Sequence, residues 1–396
     1  MSLDFQSIRQ QVKQLGKTAV TRQRQLQDKY KQAFELLESN EQNLENLCQK
    51  VQDVAQNYDP NLRCALPVQE ALTASFPLPA LQEEMTILAA DGSQIAPDRN
   101  AEVNYAVINV GAIQMRLGSP APPVTSTVSQ LLYDDQLYTP TGRITDARLA
   151  LMRDLNERTI LAKLAEGASS PVVTFTDGPM ELWIGTPGGS QESADTALVL
   201  EAYMQSLAKL HKLGVATAGY VDKPGANLVV RTLELAMTSQ IELPEIKEMH
   251  PLQGVTDIGL YREFLQPGER SPVFALQSQS VKSYTGPLAL HFFYLNVGRP
   301  GYPYLARVDI PTWVAEDLSM FDNLHATLVE QAGMMGARPY PYLLQRAHEI
   351  AVVKYAEKEQ VTQMIALELR NQGLGVGELS AKQFAKQGDS RTRYER

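Results

Sequence analysis

The sequence predicts an α/β fold in which helices flank a sheet with some parallel pairing. Two similar segments carry this prediction, because residues 85–93 and 171–179 are each an apolar, β-prone run followed by an Asp-Gly pair. Helical patterns alternate with these runs and with a third short apolar run at residues 215–222. Strands that alternate with helices are typical of α/β proteins.

The N-terminal segment is predicted to be helical. Residues 3–56 contain no proline, and their apolar residues recur at spacings of three and four, as in an amphipathic helix or a helical hairpin. Such an arm fits dimerisation, docking of a partner or packing on the chain's own core, and the pattern leaves these three open. Asp59-Pro60 ends the helical zone.

The remaining elements follow from apolar patterns and turn residues. A strand over 85–90 ends at the turn that begins with Asp91, and Thr145 is the predicted N-cap of the next helix. Strands are predicted over 105–116, 124–132, 171–177, 215–222, 288–297 and 305–314, and helices over 145–166, 195–213, 228–237 and 338–369.

Composition restricts the class of protein. The 396 residues carry a net charge of −9, which argues against a protein that coats nucleic acid, although residues 1–34 and 381–396 are both basic. No apolar run approaches the length of a membrane span, so we expect no membrane association. Cys48 and Cys64 have no metal-ligand spacing, and a cytoplasmic protein is the expectation.

Asp91 and Asp177 are the first candidates for chemistry. Each follows an apolar strand, so one sheet can hold both carboxylates side by side, where they repel unless a cation lies between them. Asp-Gly is also a common turn pair, and the residues alone leave a turn role and a metal or phosphate site equally open. Glu157 and Asp154 lie on the predicted helix between the two strands, a pattern that by itself indicates a solvated helix face.

Four short motifs in order resemble the NurA family of DNA end-resection nucleases. They are Leu88–Gln94 (LAADGSQ), Thr176–Pro179 (TDGP), Gly219–Asp222 (GYVD) and Tyr340–His348 (YPYLLQRAH). The resemblance spans residues 85 to 355 and implies a ribonuclease H-like mixed sheet flanked by helices, with an N-terminal helical extension. The resemblance places the nuclease domain over 80–370, while the helical pattern predicts an arm over 1–60 and the glycines from Gly373 onward predict a flexible basic tail over 371–396.

The same resemblance implies a catalytic site. Its residues would be Asp91, Glu157, Asp177, Tyr340 and His348, and all of these except Tyr340 would bind Mn²⁺ or Mg²⁺. Hard carboxylate oxygens suit either ion, and a single imidazole favours manganese. Two such ions can activate water and neutralise the charge that develops on a phosphodiester. Whether Glu157 or Asp154 is the helix-borne ligand stays open.

The resemblance further implies an activity and partners. The activity would be 5′-to-3′ exonuclease and single-strand endonuclease in DNA end resection and double-strand break repair. The partners would be single-stranded DNA and duplex ends, a HerA-type hexameric ATPase that translocates DNA, and a second copy of the chain in a homodimer. The alternatives are an actin-like or sugar-kinase-like ATPase and a non-catalytic scaffold with the nuclease fold.

Overall fold

The computed structural model describes residues 3–98, 101, 103–139, 142–182 and 190–374, with the side chains of 190–194 left aside. The α-helices of these residues are α1 Phe5–Ser39, α2 Leu44–Asn57, α3 Asp146–Ala165, α4 Ser190–Lys212, α5 Leu228–Met237, α6 Asp257–Tyr261, α7 Thr312–Ala315, α8 Leu318–Gly333, α9 Tyr342–Ala351 and α10 Tyr355–Asn371. The strands are β1 Cys64–Pro67, β2 Met85–Ile95, β3 Ala106–Leu117, β4 Val124–Leu132, β5 Tyr138–Thr139, β6 Gly142–Arg143, β7 Val172–Asp177, β8 Ala216–Val221, β9 Phe274–Gln277, β10 Leu290–Asn296 and β11 Leu305–Pro311.

Nine strands form one mixed sheet in the order β1-β9-β10-β11-β8-β7-β2-β3-β4, and β5 pairs with β6. The chain divides into two compact units. Unit 1 comprises residues 1–80, 178–180 and 219–339, and unit 2 comprises 81–177, 181–218 and 340–396. The α/β class, the mixed sheet with flanking helices and the N-terminal helices are confirmed. The boundaries 1–60, 80–370 and 371–396 stay a prediction, and residues 375–396 of the basic tail lie outside the described residues.

Unit 1 holds the antiparallel strands β1, β9, β10 and β11 and the last residues of β8. Buried aromatic rings of Tyr261, Phe274, Phe292 and Tyr294 contact one another. Helix α1 reaches this unit through its C-terminal half, where the Tyr30 hydroxyl lies 3.1 Å from the Thr256 hydroxyl. These contacts leave the first half of α1 exposed.

Unit 2 is built on the antiparallel order β2, β3, β4, to which β7 adds in parallel with β2. Helices α3, α4, α9 and α10 belong to this unit. A meander (β2, β3, β4) whose first strand pairs in parallel with the next strand that joins the same sheet, β7, is the arrangement expected of a ribonuclease H-like sheet. The parallel β2–β7 pair requires the intervening helix as its crossover, and α3 fills that role.

The predicted turn at Asp91 is wrong, because β2 continues through Asp91 to Ile95. Its pairing with β7 ends at Ala90↔Thr176, but its pairing with β3 continues from Asp91↔Gly111 to Ile95↔Val107. The long partner strand β3 supplies hydrogen bonds that an Asp-Gly turn would forgo, and a tertiary partner thus overrides the local turn preference.

The single helix predicted over 338–369 is also wrong, because α9 ends at Ala351 and α10 begins at Tyr355. The side chains of Ser93 and Asn109 both donate to the carbonyl oxygen of Ala351. These two donors satisfy a carbonyl that a continuous helix would use internally, so the chain leaves the helix there.

A search of the described residues finds no helix that combines the length and the apolar character needed to cross a membrane.

Candidate functional site

The central strands of unit 2 place Asp91 and Asp177 side by side. Strands β2 and β7 pair in parallel up to Ala90↔Thr176, so the next position on each strand holds one of the two aspartates. Neighbouring strands lie about 4.8 Å apart, and in-register residues point to the same face of a sheet. The two carboxyl groups therefore share one face.

Helix α9 covers that face at close range. A side chain at Gly111, which lies opposite Asp91 on β3, would come within 2.7 Å of the backbone of Ala347 and of Ala351. Glycine allows the helix backbone to approach the strand this closely. Asn109, two residues earlier on the same face, donates to the Ala351 carbonyl at 2.7 Å, and Ser93 donates to it as well. Together these contacts fix the position of α9.

The placement of α9 brings two distant residues to the aspartates. Nδ1 of His348 lies 2.7 Å from Oδ2 of Asp91, whose Oδ1 accepts the Gly92 N–H at 2.7 Å. The Tyr340 hydroxyl, just before α9, donates to Oδ1 of Asp177 at 3.0 Å. His348 thus binds Asp91, and Tyr340 binds Asp177, each through one hydrogen bond.

Helix α3 brings Glu157 to the neighbouring position of β2. The Thr145 side chain caps this helix as predicted, accepting the N–H of Arg148. A side chain at Gly92 would come within 2.7 Å of Oε1 of Glu157, so this glutamate lies against the residue that follows Asp91. Strand alternation directs position 92 to the opposite face from position 91. Glu157 thus approaches from the other side of the sheet.

The electrostatic environment of Glu157 disfavours its charged form. Burial raises the pKa of its carboxyl well above the usual value, and the negative charge of Asp154 raises it further. Arg153, with Nε 3.5 Å from Oε1 of Glu157, lowers the pKa, and Asp91 raises it. Arg153 is shared, because it also bonds Asp154 at 2.9 Å. An additional cation near these carboxylates would relieve the excess negative charge.

Arg158 is a residue that the sequence pattern does not single out, because the neighbouring Asp154 and Glu157 indicate a solvated helix face. It is 1% exposed, and its guanidinium donates to the Thr176 hydroxyl at 2.7 Å, the Thr217 hydroxyl at 2.9 Å and the Ala218 carbonyl at 3.0 Å. These bonds tie α3 to β7 and β8 directly beside Glu157. Arg158 therefore positions the helix that carries the glutamate.

A sequence signal for Arg158 did exist. It follows Leu151 by seven positions and precedes Ala162 by four, and both of these residues are buried. A charged residue within the apolar stripe of a helix must find partners in the core, which predicts a structural or functional role.

The donor set fits a hard divalent cation in its chemistry, since it offers three carboxylates and one imidazole. The charge excess around Glu157 points the same way. Among the side chains that the structure describes, no three His, Cys, Asp or Glu residues are already arranged as a metal-binding cluster. Such an ion would be bound by Asp91, Asp177 and His348 from one face of the sheet and by Glu157 from the other.

The structure brings together the residues named from the sequence in two groups. Asp91 with His348 and Asp177 with Tyr340 share the α9 face, and Glu157 lies with Asp154 on the α3 side. Their catalytic and metal-binding roles stay a prediction, as does the choice between Glu157 and Asp154.

Fold and site together define an α/β protein whose two central strands present paired aspartates between a histidine-bearing helix and a glutamate-bearing helix. The family profile of the NurA domain matches residues 85–353. The chain belongs to the NurA family, and the resemblance inferred from the four motifs is confirmed.

Comparison with solved structures finds similarity to nucleases at low sequence identity. The NurA nuclease from Sulfolobus solfataricus is 13% identical, with a TM-score of 0.48, over 83% of this chain and 93% of that chain. The catalytic domain of human endonuclease V is 14% identical, with a TM-score of 0.32, over 82% of this chain and 98% of that chain. LC9-RNase H1, a type 1 RNase H, is 18% identical, with a TM-score of 0.23, over 39% and 68%. No curated protein matches the chain.

Proposed function

We propose that the chain is a metal-dependent deoxyribonuclease that hydrolyses phosphodiester bonds. Membership of the NurA family supports a nuclease role and favours it over an actin-like or sugar-kinase-like ATPase. The observation that carries the proposal is the pair of in-register aspartates, each held by a residue from the distant α9 segment.

Each site residue has a role that follows from its contacts. Divalent ions, Mn²⁺ or Mg²⁺, would supply an activated water and neutralise charge on the reacting phosphate when bound. Asp91 and Asp177 offer carboxylate oxygens from one face, and Glu157 offers a third from α3. His348 donates from Nδ1 to Asp91, which leaves Nε2 as an acceptor for an ion or for a water proton. The Tyr340 hydroxyl orients the carboxylate of Asp177.

We further propose that the protein degrades duplex ends as a 5′-to-3′ exonuclease and cuts single strands as an endonuclease. It would act in the cytoplasm, in DNA end resection and double-strand break repair. The chain is acidic, with a net charge of −9, so it is expected to bind DNA weakly by itself and to need a partner that binds the DNA. A HerA-type hexameric translocase is that partner in this proposal, because it would feed DNA to a nuclease that holds it weakly alone.

The first half of α1 is the proposed site of homodimerisation. Phe5, Ile8, Val12 and Leu15 are all exposed, and their spacing of three, four and three places them at the a and d positions of a coiled coil. Val12 at a with Leu15 at d is the combination that favours two strands, and it is this pair on which the proposed dimer rests. Because the stripe gains stability when its apolar side chains are buried against a matching stripe, a second copy of α1 is the occupant that we propose.

A cleavage assay tests the nuclease proposal. Single-stranded and blunt duplex oligonucleotides, labelled separately at the 5′ and 3′ ends, are incubated with the full chain and Mn²⁺, Mg²⁺ or EDTA. We expect cleavage with Mn²⁺, weaker cleavage with Mg²⁺ and none with EDTA, with early release of the 5′ label from duplex ends. Cleavage that persists in EDTA would contradict the metal role, and an inert protein in every condition would favour the scaffold.

A second assay tests the translocase. The HerA-type ATPase is added to the same duplex reactions with and without ATP, and co-elution of the two proteins is measured. We expect a stable complex and ATP-dependent acceleration of duplex cleavage. Independent elution together with ATP-insensitive cleavage would remove the translocase from the proposal.

A further inference from the structure

A loop with several internal hydrogen bonds joins β10 to β11 in unit 1. The backbone N–H of Val297 donates to the Tyr304 carbonyl at 2.9 Å, and Arg299 and Tyr302 exchange backbone bonds at 3.2 and 2.8 Å. The amide oxygen of Asn296 accepts from the N–H of Gly298 at 3.0 Å and of Tyr304 at 3.1 Å. The loop therefore presents its side chains from a fixed backbone.

This loop forms one wall of a cavity of about 490 Å³ that lies wholly within unit 1. The other wall comes from the segment that follows α8, and we name the whole the Tyr302 cavity. Its lining includes Arg262, Arg299, Tyr302, Tyr304, Gly298 and Gly336. Such a volume lies within the range of small-ligand sites and suits a ligand of nucleotide size.

The lining of the Tyr302 cavity is positive in a chain that is negative as a whole. Two arginines line it, and no acidic side chain is among the residues that line it in the described part of the chain. The neighbouring Asp222 carboxylate accepts the Tyr304 hydroxyl at 2.8 Å, and Lys223 lies 5.0 Å above the Tyr304 ring. The cavity thus attracts anions although the net charge of the protein is −9.

The two kinds of side chain in this cavity complement the two parts of a nucleotide. Tyr302 is 70% exposed, and the Arg299 guanidinium carbon lies over its ring at 5.1 Å from the ring centre. Arg299 thus covers one face of the ring, and the exposure of the residue leaves the other face to a base. Arginines bind phosphate oxygens in a forked geometry, and the lining glycines let a phosphate approach the backbone. Aromatic rings beside arginines are the usual platform for single-stranded nucleic acid.

We propose that the Tyr302 cavity binds one nucleotide of a single-stranded DNA segment, with the base on Tyr302 and the phosphate between Arg262 and Arg299. A cavity of this volume admits an unpaired nucleotide but not a base-paired duplex. The choice of DNA as the polymer rests on the proposed nuclease function, whereas the site itself rests on its lining. The same chemistry would also take a free nucleotide, and the experiment separates the two sources.

The test measures binding without cleavage. The full chain carries Asp91→Asn and is kept in EDTA, and its affinity for a 5′-fluorescent (dT)15 strand is measured by anisotropy. We expect Tyr302→Ala to raise Kd about tenfold and Tyr302→Phe to leave it within about twofold, because stacking needs the ring and not the hydroxyl. Tyr138→Ala is the matched control, since Tyr138 on β5 is 59% exposed against 70% for Tyr302, and it should leave Kd unchanged.

Three further arms identify the ligand. An abasic strand of the same length should bind more weakly than (dT)15 and should not distinguish Tyr302→Ala from the parent, since it has phosphates but no bases. Arg299→Ala should flatten the dependence of log Kd on log salt by about one unit. The last arm adds dTMP or inorganic phosphate as competitors, at concentrations far below those that screen charges nonspecifically. Displacement of (dT)15 by either competitor would show a free-nucleotide or phosphate site and would overturn the DNA-strand assignment.

The outcomes separate this proposal from the nuclease proposal. An unchanged Kd in Tyr302→Ala with an unchanged melting temperature overturns the cavity, even if the wild type cuts DNA. Binding of (dT)15 that depends on Tyr302 supports the cavity even if the wild type cuts nothing. An equal loss of binding in Tyr302→Ala and Tyr302→Phe overturns the stacking role.

Discussion

His348 and Asp91 are in hydrogen-bond contact across 257 positions of the chain, with Nδ1 2.7 Å from Oδ2. The Asp91 side chain is 15% exposed and the His348 side chain is 57% exposed. A largely buried carboxylate on a strand therefore holds a histidine whose ring is accessible to solvent. The carboxylate fixes the orientation of the ring by accepting the proton of Nδ1. This contact makes α9 part of the site. The contact forms only because α9 packs closely against β3.

Asp177→Asn should abolish DNA cleavage, with a fall in rate of at least about 100-fold, because the amide keeps the shape but loses a ligand charge. Its melting temperature without metal should equal or exceed that of the wild type, since one repelling charge is removed. Mn²⁺ should then raise the melting temperature of the wild type more than that of the variant. Asp28→Asn, the same change on the exposed surface of α1, is the control in both assays. Full cleavage by Asp177→Asn would remove this residue from the mechanism.

Glu157→Gln and Asp154→Asn should separate the two candidates for the helix-borne ligand. Glu157 is buried against Gly92, whereas Asp154 is 36% exposed and bonded to Arg153. We expect Glu157→Gln to lose cleavage by at least about 100-fold and Asp154→Asn to stay within about threefold of the wild type. The melting temperature of Glu157→Gln without metal should not fall below that of the wild type, because the neutral amide avoids the cost of burying a charged carboxylate. The reverse pattern of activities would assign the role to Asp154.

Gly111→Ala should destabilise unit 2 and lower cleavage together. The added methyl would meet the backbone of Ala347 and Ala351 at 2.7 Å, and backbone atoms cannot rotate away. Overpacking of this kind costs about 1–3 kcal/mol, and it would move α9 and with it His348. Gly167→Ala, where the added methyl meets nothing within 4 Å, is the control and should leave both quantities unchanged. Urea unfolding and the cleavage rate are the measurements, and a neutral Gly111→Ala would show that α9 has room to shift.

His325 should make the protein sensitive to acid. Its Nε2–H donates to the Gly268 carbonyl at 2.8 Å. Burial lowers the pKa of the ring, this hydrogen bond opposes the shift, Arg270 adds to it, and the resulting pKa is about 4. The unfolded chain takes up the proton near pH 6.5, so stability is complete above that pH and is lost as the pH falls toward 4. The loss is about 2 kcal/mol at pH 5.

Urea unfolding at pH 7.5 and pH 5 checks this expectation for His325. His325→Gln removes the titrating group, so the change in its unfolding free energy between the two pH values should be about 2 kcal/mol smaller than in the wild type. His211→Gln, at an exposed histidine on α4, should keep the wild-type dependence on pH. An identical pH dependence in His325→Gln would contradict the assignment.

The double variant Val12→Ser with Leu15→Ser should convert a dimer into a monomer. Both residues belong to the exposed stripe of α1, and polar side chains there remove the apolar seam of the proposed coiled coil. Light scattering should report twice the chain mass of 43.8 kDa for the wild type and the single mass for the variant. Gln10→Ser with Gln14→Ser alters the other face of the helix with a similar propensity cost and should stay dimeric. A variant that remains dimeric but no longer binds the translocase would make α1 a docking helix for that partner.

Several elements could be predicted from the sequence because their signals are local. Residues 124–132 are rich in β-branched residues and follow a Pro-rich segment, and β4 has those bounds. Thr145 is an N-cap, and α5 spans the predicted residues 228–237. Caps, periodicity and turn residues act within a few positions, which is why they survive in the folded chain.

Other features could not be read locally. The strand that continues past Asp91 depends on β3, and the end of α9 at Ala351 depends on side chains of β2 and β3. The buried position of Arg158 depends on its partners, Thr176 and Thr217, which lie on strands that the helix pattern does not specify.

The sequence by itself determined the α/β class, the NurA family and which side chains carry carboxylate and imidazole groups, because these depend on residue type and on order along the chain. Only the tertiary structure decided that Asp91 and Asp177 stand in register, that His348 contacts Asp91, and that Glu157 approaches from the opposite face. Those relationships depend on strand register and on the distance between a helix and a strand. Both are set by contacts between residues that are far apart in the chain.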